Sequence, residues 1–191
     1  MGEKISQIDI NQRKIAFGYK YDVFFNEKQI RFARSQLMRL LTHIDLYGEE
    51  GGKKLLSIVQ RFSIFKTSYD IEYLDGTTLE FRTLSVIKGH YVCSSGNDTY
   101  EIFRHRKRKY SIFRNGLQVA WWDQEAVTWF EGDNYKIRAN DDCDIDLLIS
   151  FCLIIDDSRS NKSDKQSFTY NFGYIGPEAK KFDPGWSPEI G

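Results

Sequence analysis

Proline and methionine are scarce in this 191-residue chain: three prolines, all within 176–191, and two methionines. A chain nearly free of proline up to that point can sustain long, uninterrupted β-ladders. Cysteine is also sparse. Cys93, Cys143 and Cys152 are odd in number and share no paired spacing, which argues against a disulfide scaffold and for a reducing, cytoplasmic compartment. Without a CxxC or HxxxH pairing no zinc site is expected, and no cofactor is implied. Charge of one sign is lacking too, since 27 basic residues balance 27 acidic ones. Whole-chain charge therefore points to neither nucleic acid nor membrane, and only a local patch could do so. The opening MGEKISQIDI has no apolar core of the kind a secretory signal needs. Gly2 fits the loose myristoylation pattern, which also arises by chance. No Gly-rich phosphate loop, G-x-S-x-G elbow or D-x-D-x-D-G calcium loop occurs.

Aromatics are what the chain has in abundance: 14 Phe, 11 Tyr and 4 Trp, or 15% of residues. Such side chains favour strands. Alternating segments are read at Tyr19–Phe25, Lys28–Phe32, Leu55–Phe65, Tyr69–Leu74, Thr78–Ile87, His90–Cys93, Tyr100–Phe103, Tyr110–Phe113, Leu117–Trp122, Val127–Phe130 and Tyr135–Arg138. Asp75-Gly76 and Asn115-Gly116 are strong hairpin signals between such runs. Gln36–Tyr47 fits either helix or strand spacing. A short motif, Tyr-x-Val/Ile, recurs at Tyr21, Tyr69, Tyr100, Tyr110 and Tyr135, each time opening a strand. Short strands between turns, without long amphipathic helices, imply an antiparallel sandwich or barrel.

The longest apolar run, Asp144–Asp157 (DIDLLISFCLIIDD), is bracketed by carboxylates. It is too short to cross a bilayer, which takes roughly 20 apolar residues. Asp141, Asp142 and Asp144 are placed to cap a helix and complement its dipole. Length and caps favour a buried helix, although periodicity alone also fits a fully buried strand. Beyond it, 158–167 is polar and linker-like. In the remaining tail, Phe168, Tyr170, Phe172 and Trp186 are expected to anchor the chain on the barrel or on a neighbouring subunit.

Three segments carry a resemblance: YDIEYLDGTTLEF (69–81), YEIFRHRKRKYSIFRNGLQVAWW (100–122) and DIDLLISFCLIIDD (144–157). Tyr-x-Ile hairpins followed by an Asp-flanked apolar helix resemble the tubby-like architecture, which is shared by tubby C-terminal domains, phospholipid scramblases and LURP-one-related proteins. The resemblance spans roughly 19–157. It implies a mostly β fold, a closed antiparallel β-barrel of about 12 strands around a central hydrophobic C-terminal helix. The expected organisation is then a barrel over 1–157, with its helix at 144–157, and an extension over 158–191. The extension departs from the family, whose chain generally ends near that helix. The scramblase membrane anchor and cysteine-rich run are absent, so scrambling is not expected.

Arg104, Arg106, Lys107, Arg108 and Lys109, with His105 among them, sit between two strands. At a hairpin tip they could bind an anionic lipid headgroup or membrane surface. The competing reading is a solvated tip that aids solubility. The resemblance points to phospholipid headgroups, although no position-specific motif transfers the tubby-type phosphoinositide residues. In Trp121-Trp122, alternation from Leu117 and Val119 assigns Trp121 to the core. Trp122 is then expected on the outside, as a membrane or partner contact or beneath the tail. His90 and Cys93 fall on opposite strand faces, which makes a poor catalytic pair. Asp133, Asp141, Asp142 and Asp144 could hold Ca²⁺, but helix capping explains the last three more simply. The expectation is a non-enzymatic binding module for anionic ligands. The alternative is a scaffold that self-associates into a homo-oligomer through its aromatic tail. A hydrolytic enzyme is the weakest reading, and nucleic acid is not an expected partner.

Overall fold

The computed structural model describes residues 6–15, 18–36, 41–62, 67–125, 134–163 and 178–189. Twelve strands are followed by one helix: β1 (Ser6–Ile15), β2 (Gly18–Phe25), β3 (Lys28–Ser35), β4 (His43–Tyr47), β5 (Lys54–Arg61), β6 (Ser68–Tyr73), β7 (Thr78–Ser85), β8 (His90–Ser95), β9 (Asp98–Arg104), β10 (Lys109–Arg114), β11 (Leu117–Glu125), β12 (Asn134–Ala139) and α1 (Ile145–Ser163). Each strand pairs antiparallel with the next in sequence, and β12 pairs with β1 to close the barrel. Asp75-Gly76 and Asn115-Gly116 turn the chain as expected, with Gly76 and Gly116 at positive φ. Gln36–Tyr47 resolves in its second half as the strand β4. The segment expected at Val127–Phe130 lies outside the described residues.

The helix fills the barrel. Leu147, Leu148, Ile149, Phe151, Cys152, Leu153, Ile154 and Ile155 form one core with inward residues of the wall. Phe151 lies between Phe81 and Tyr100, with both ring centroids 5.7 Å away. An apolar surface with no polar face can be accommodated only by such complete enclosure. The recurring tyrosines all point inward, and Tyr21, Tyr69, Tyr100, Tyr110 and Tyr135 are each buried. The motif thus marks the core face of the wall, with Val or Ile two residues on filling the same face.

Both helix ends are tied to the wall. At the N-terminal end, Leu147 N donates to Asp144 Oδ1 (3.1 Å), and the Tyr73 hydroxyl donates to Asp144 Oδ2 (3.2 Å). Arg31 forks onto both oxygens of Asp146, at 2.6 and 3.3 Å. Asp144 and Asp146 are therefore a cap and an anchor. At the other end Asp156 is buried, yet fully engaged. Gln12 Nε2 (2.8 Å) and the Tyr21 hydroxyl (3.0 Å) donate to one carboxylate oxygen, and the Tyr135 hydroxyl donates to the other. Asp157 accepts from the Tyr69 hydroxyl at 2.9 Å. Burial first, and the Asp156 carboxylate second, push the Tyr21 phenol well above its usual range, so it remains a donor.

Two features differ from the sequence reading. β1 carries no clear strand pattern in the sequence, because Gln12 interrupts the apolar alternation of Ile8 and Ile10 on its inward face. The helix also runs on to Ser163, past the expected end at Asp157. Its last turns (SRSNKS) are polar in sequence, so hydrophobicity could not reveal them.

Tyr21→Phe keeps the ring but removes a hydrogen bond to a buried carboxylate. It should destabilise the fold by about 1.5–3 kcal/mol in urea denaturation, and a loss near zero would contradict the role given to Asp156.

Candidate anion-binding rim

The basic segment joins β9 to β10 at the barrel end where α1 terminates. His105 N donates to Lys109 O at 2.8 Å, closing a turn over Arg106–Arg108. Lys107 and Arg108 both adopt left-handed backbone, at φ 57° and 59°. The five cations do not act alike. Arg104 braces the neighbouring β7–β8 turn: its Nη2 donates to Val86 O at 3.3 Å, and its backbone N donates to Gly89 O at 2.8 Å. Gly89 is required there, because φ is +58° and a Cβ would lie 2.4 Å from the Arg104 Cβ. Lys109 turns onto the outer wall, 3.5 Å from Asp123 Oδ2 and above the rings of Trp121 and Phe182. The side chains of Arg106, Lys107 and Arg108 meet no carboxylate among the described residues.

The two tryptophans exchange the places expected of them. Trp122 is 1% exposed and stacks on Tyr110 inside the barrel, at 4.7 Å and 16°. Trp121 is the outward ring. The cause is a β-bulge. Phe113 pairs with Gln118 but Ile112 pairs with Ala120, so Val119 is an extra residue that inverts every later face of β11. Trp122 is thus no surface contact.

A C-terminal strap covers the wall around Trp121. Glu178 Oε1 accepts a hydrogen bond from the backbone N of Arg106 at 2.8 Å. Lys180 Nζ sits 3.4 Å from the Phe113 ring centroid. Phe182 meets Trp121 edge-on at 5.5 Å and lies 5.3 Å from His105. Glu189 N donates to Asn140 Oδ1 at the opposite barrel end. Trp186 lines a groove of about 530 Å³ there with Arg114, Asn140 and Asp142, where Arg114 is already ion-paired with Asp142. Among the residues expected to anchor the tail, Phe168, Tyr170 and Phe172 lie outside the described residues. Among the described residues of the tail, Trp186 lines that groove, and Glu178, Lys180 and Phe182 also contact the barrel, their charged context having concealed them in the sequence.

His90 and Cys93 fall on opposite faces of β8. His90 faces outward, stacked on Phe103 and bonded to Glu101 at 3.0 Å, whereas Cys93 faces the core. Burial pushes the Cys93 thiol up to about 12, far from the reactive thiolate. His105 bonds Ser111 Oγ at 2.7 Å, but each residue is 1% exposed. Asp142 and Asp144 are engaged by Arg114 and the helix cap, and Asp133 lies outside the described residues. Among the described residues no group of three or more His, Cys, Asp or Glu side chains could hold a metal ion. No helix among them is long and apolar enough to cross a membrane.

Burial beneath the strap lowers the His105 pKa, against opposing pulls from Glu178 and the Lys180 backbone. The unfolded chain therefore binds the proton first as pH falls. The stability His105 contributes is fully present above its ordinary value of 6.5 and is lost as pH drops through the lower folded value. Urea midpoints should fall between about pH 7.5 and pH 5.5, and His105→Gln should flatten that dependence.

Comparisons with curated proteins and with solved structures find no match. The family model described as LURP-one-related matches residues 6–156, which take in all twelve strands and the buried part of the helix. The chain belongs to the LURP-one-related family.

Proposed function

We propose that this barrel is a non-enzymatic, cytoplasmic binding module for anionic, phosphate-bearing ligands, the phospholipid headgroup foremost among them, and that Arg106, Lys107 and Arg108 hold the ligand. One observation carries the reading. The tip already binds an anionic group, the Glu178 carboxylate on the Arg106 backbone N–H, while three cationic side chains beside it have no carboxylate partner among the described residues. Guanidinium groups engage phosphate oxygens in bidentate pairs, and a lysine adds a point charge. Arg104 and Lys109 act from behind, by fixing the tip to its neighbours. The wider resemblance to tubby-like and scramblase proteins agrees with a phospholipid ligand. Because the interior is filled by α1, ligands are bound on the outside of the barrel, without a chamber for a lipid chain or substrate.

The test is titration with a soluble inositol polyphosphate followed by calorimetry. Reversal of all three charges (Arg106→Glu, Lys107→Glu, Arg108→Glu) should weaken binding roughly a hundredfold, using the ~1 kcal/mol per basic residue found at anionic surfaces. Lys28→Glu, at the opposite end of the barrel, should leave it unchanged. Binding that survives the triple reversal would rule the tip out.

A further inference from the structure

The rim that carries the cationic tip also carries most of the large hydrophobic side chains exposed among the described residues. Six large hydrophobic side chains are exposed among the described residues: Phe62, Leu74, Leu84, Val86, Ile87 and Leu117. Strand register places four of them, Phe62, Leu84, Val86 and Ile87, at the same barrel end as Arg106–Arg108. Ile87 is 73% exposed and Phe62 81%. Leu74 and Leu117 lie at the other end.

The apolar and cationic tips form one unit. Arg104 belongs to the cationic loop, yet it donates to Val86 O, and Gly89 packs against its side chain. The β7–β8 turn is therefore held beside the β9–β10 turn at a fixed offset. Lys88 adds a further exposed cation at the apolar tip. Among the described residues, Asp70 and Glu80 are engaged by Arg61, Glu101 by His90, Asp123 by Lys109, and Glu178 by the Arg106 backbone.

We infer that this rim docks on an anionic lipid bilayer, with Val86 and Ile87 entering the headgroup layer and Lys88, Arg106, Lys107 and Arg108 meeting the phosphates. This rests on the anion-binding reading of the tip and extends it to a surface. Convex turns with apolar ends ringed by cations suit a soft interface, where apolar side chains sink and long basic ones stay at headgroup depth. Apolar insertion and charge together also meet the requirement that peripheral anchoring combine two signals.

Flotation of the full chain with phosphatidylcholine vesicles, with and without phosphatidylserine, tests the inference, alongside titration with soluble inositol polyphosphate. The wild type should float only with the mixed vesicles. Val86→Ser with Ile87→Ser should weaken that binding about tenfold or more, through the lost apolar burial, and leave the soluble-ligand affinity unchanged. An environment-sensitive dye on Ile87→Cys should shift to the blue only with the mixed vesicles. Full vesicle binding by the double serine variant, or no dye shift, would overturn insertion. Soluble-ligand binding without vesicle binding would overturn the bilayer and leave the tip reading standing. Failure of both would remove both.

Discussion

A single buried carboxylate ties the barrel's closure to its contents. Asp156, near the inner end of the helix, takes its hydrogen bonds from Gln12 on β1, Tyr21 on β2 and Tyr135 on β12. These are the three strands of the seam, where the first strand meets the last. A charge in that position is costly unless every donor is in place. The helix is therefore satisfied only inside a closed cylinder, and the seam is held by a group the helix delivers. Closure and filling become one cooperative event.

The same arrangement divides the two ends of the barrel. The end at the start of the helix is internally compensated: Arg31 on Asp146, Arg114 on Asp142 and Tyr73 on Asp144. At the opposite rim, among the described residues, Asp70, Glu80, Glu101 and Asp123 are engaged while cations and apolar turn residues face solvent. With an interior filled by side chains, recognition is confined to surfaces, and this asymmetry favours one rim over the other.

Much of the fold could be read from local signals. Asp-Gly and Asn-Gly turns, inward tyrosines and the Asp-bracketed apolar run sufficed for an antiparallel barrel around a helix, because each depends on residues within a few positions. What failed depended on distant partners. β1 stayed hidden because Gln12 is a core residue only if Asp156 is there to meet it. The tryptophans were exchanged because a one-residue bulge at Val119 depends on pairing with β10 and has no compositional mark. The basic tip was visible as charge, but its division into bracing and unpaired cations required Val86, Gly89, Asp123 and the strap, all remote in sequence.

Closure also governs how this barrel can meet other macromolecules. A ladder in which every strand has two neighbours exposes no edge to extend. An extended peptide cannot be recruited by strand addition, the route by which many open sheets capture partners. Specificity must then be written in the side chains of the turns, where sequence can vary without disturbing the hydrogen-bonded wall. Loss of the first strand would reverse this, since it would bare the backbones of β2 and β12 together and turn a closed surface into a template for aggregation.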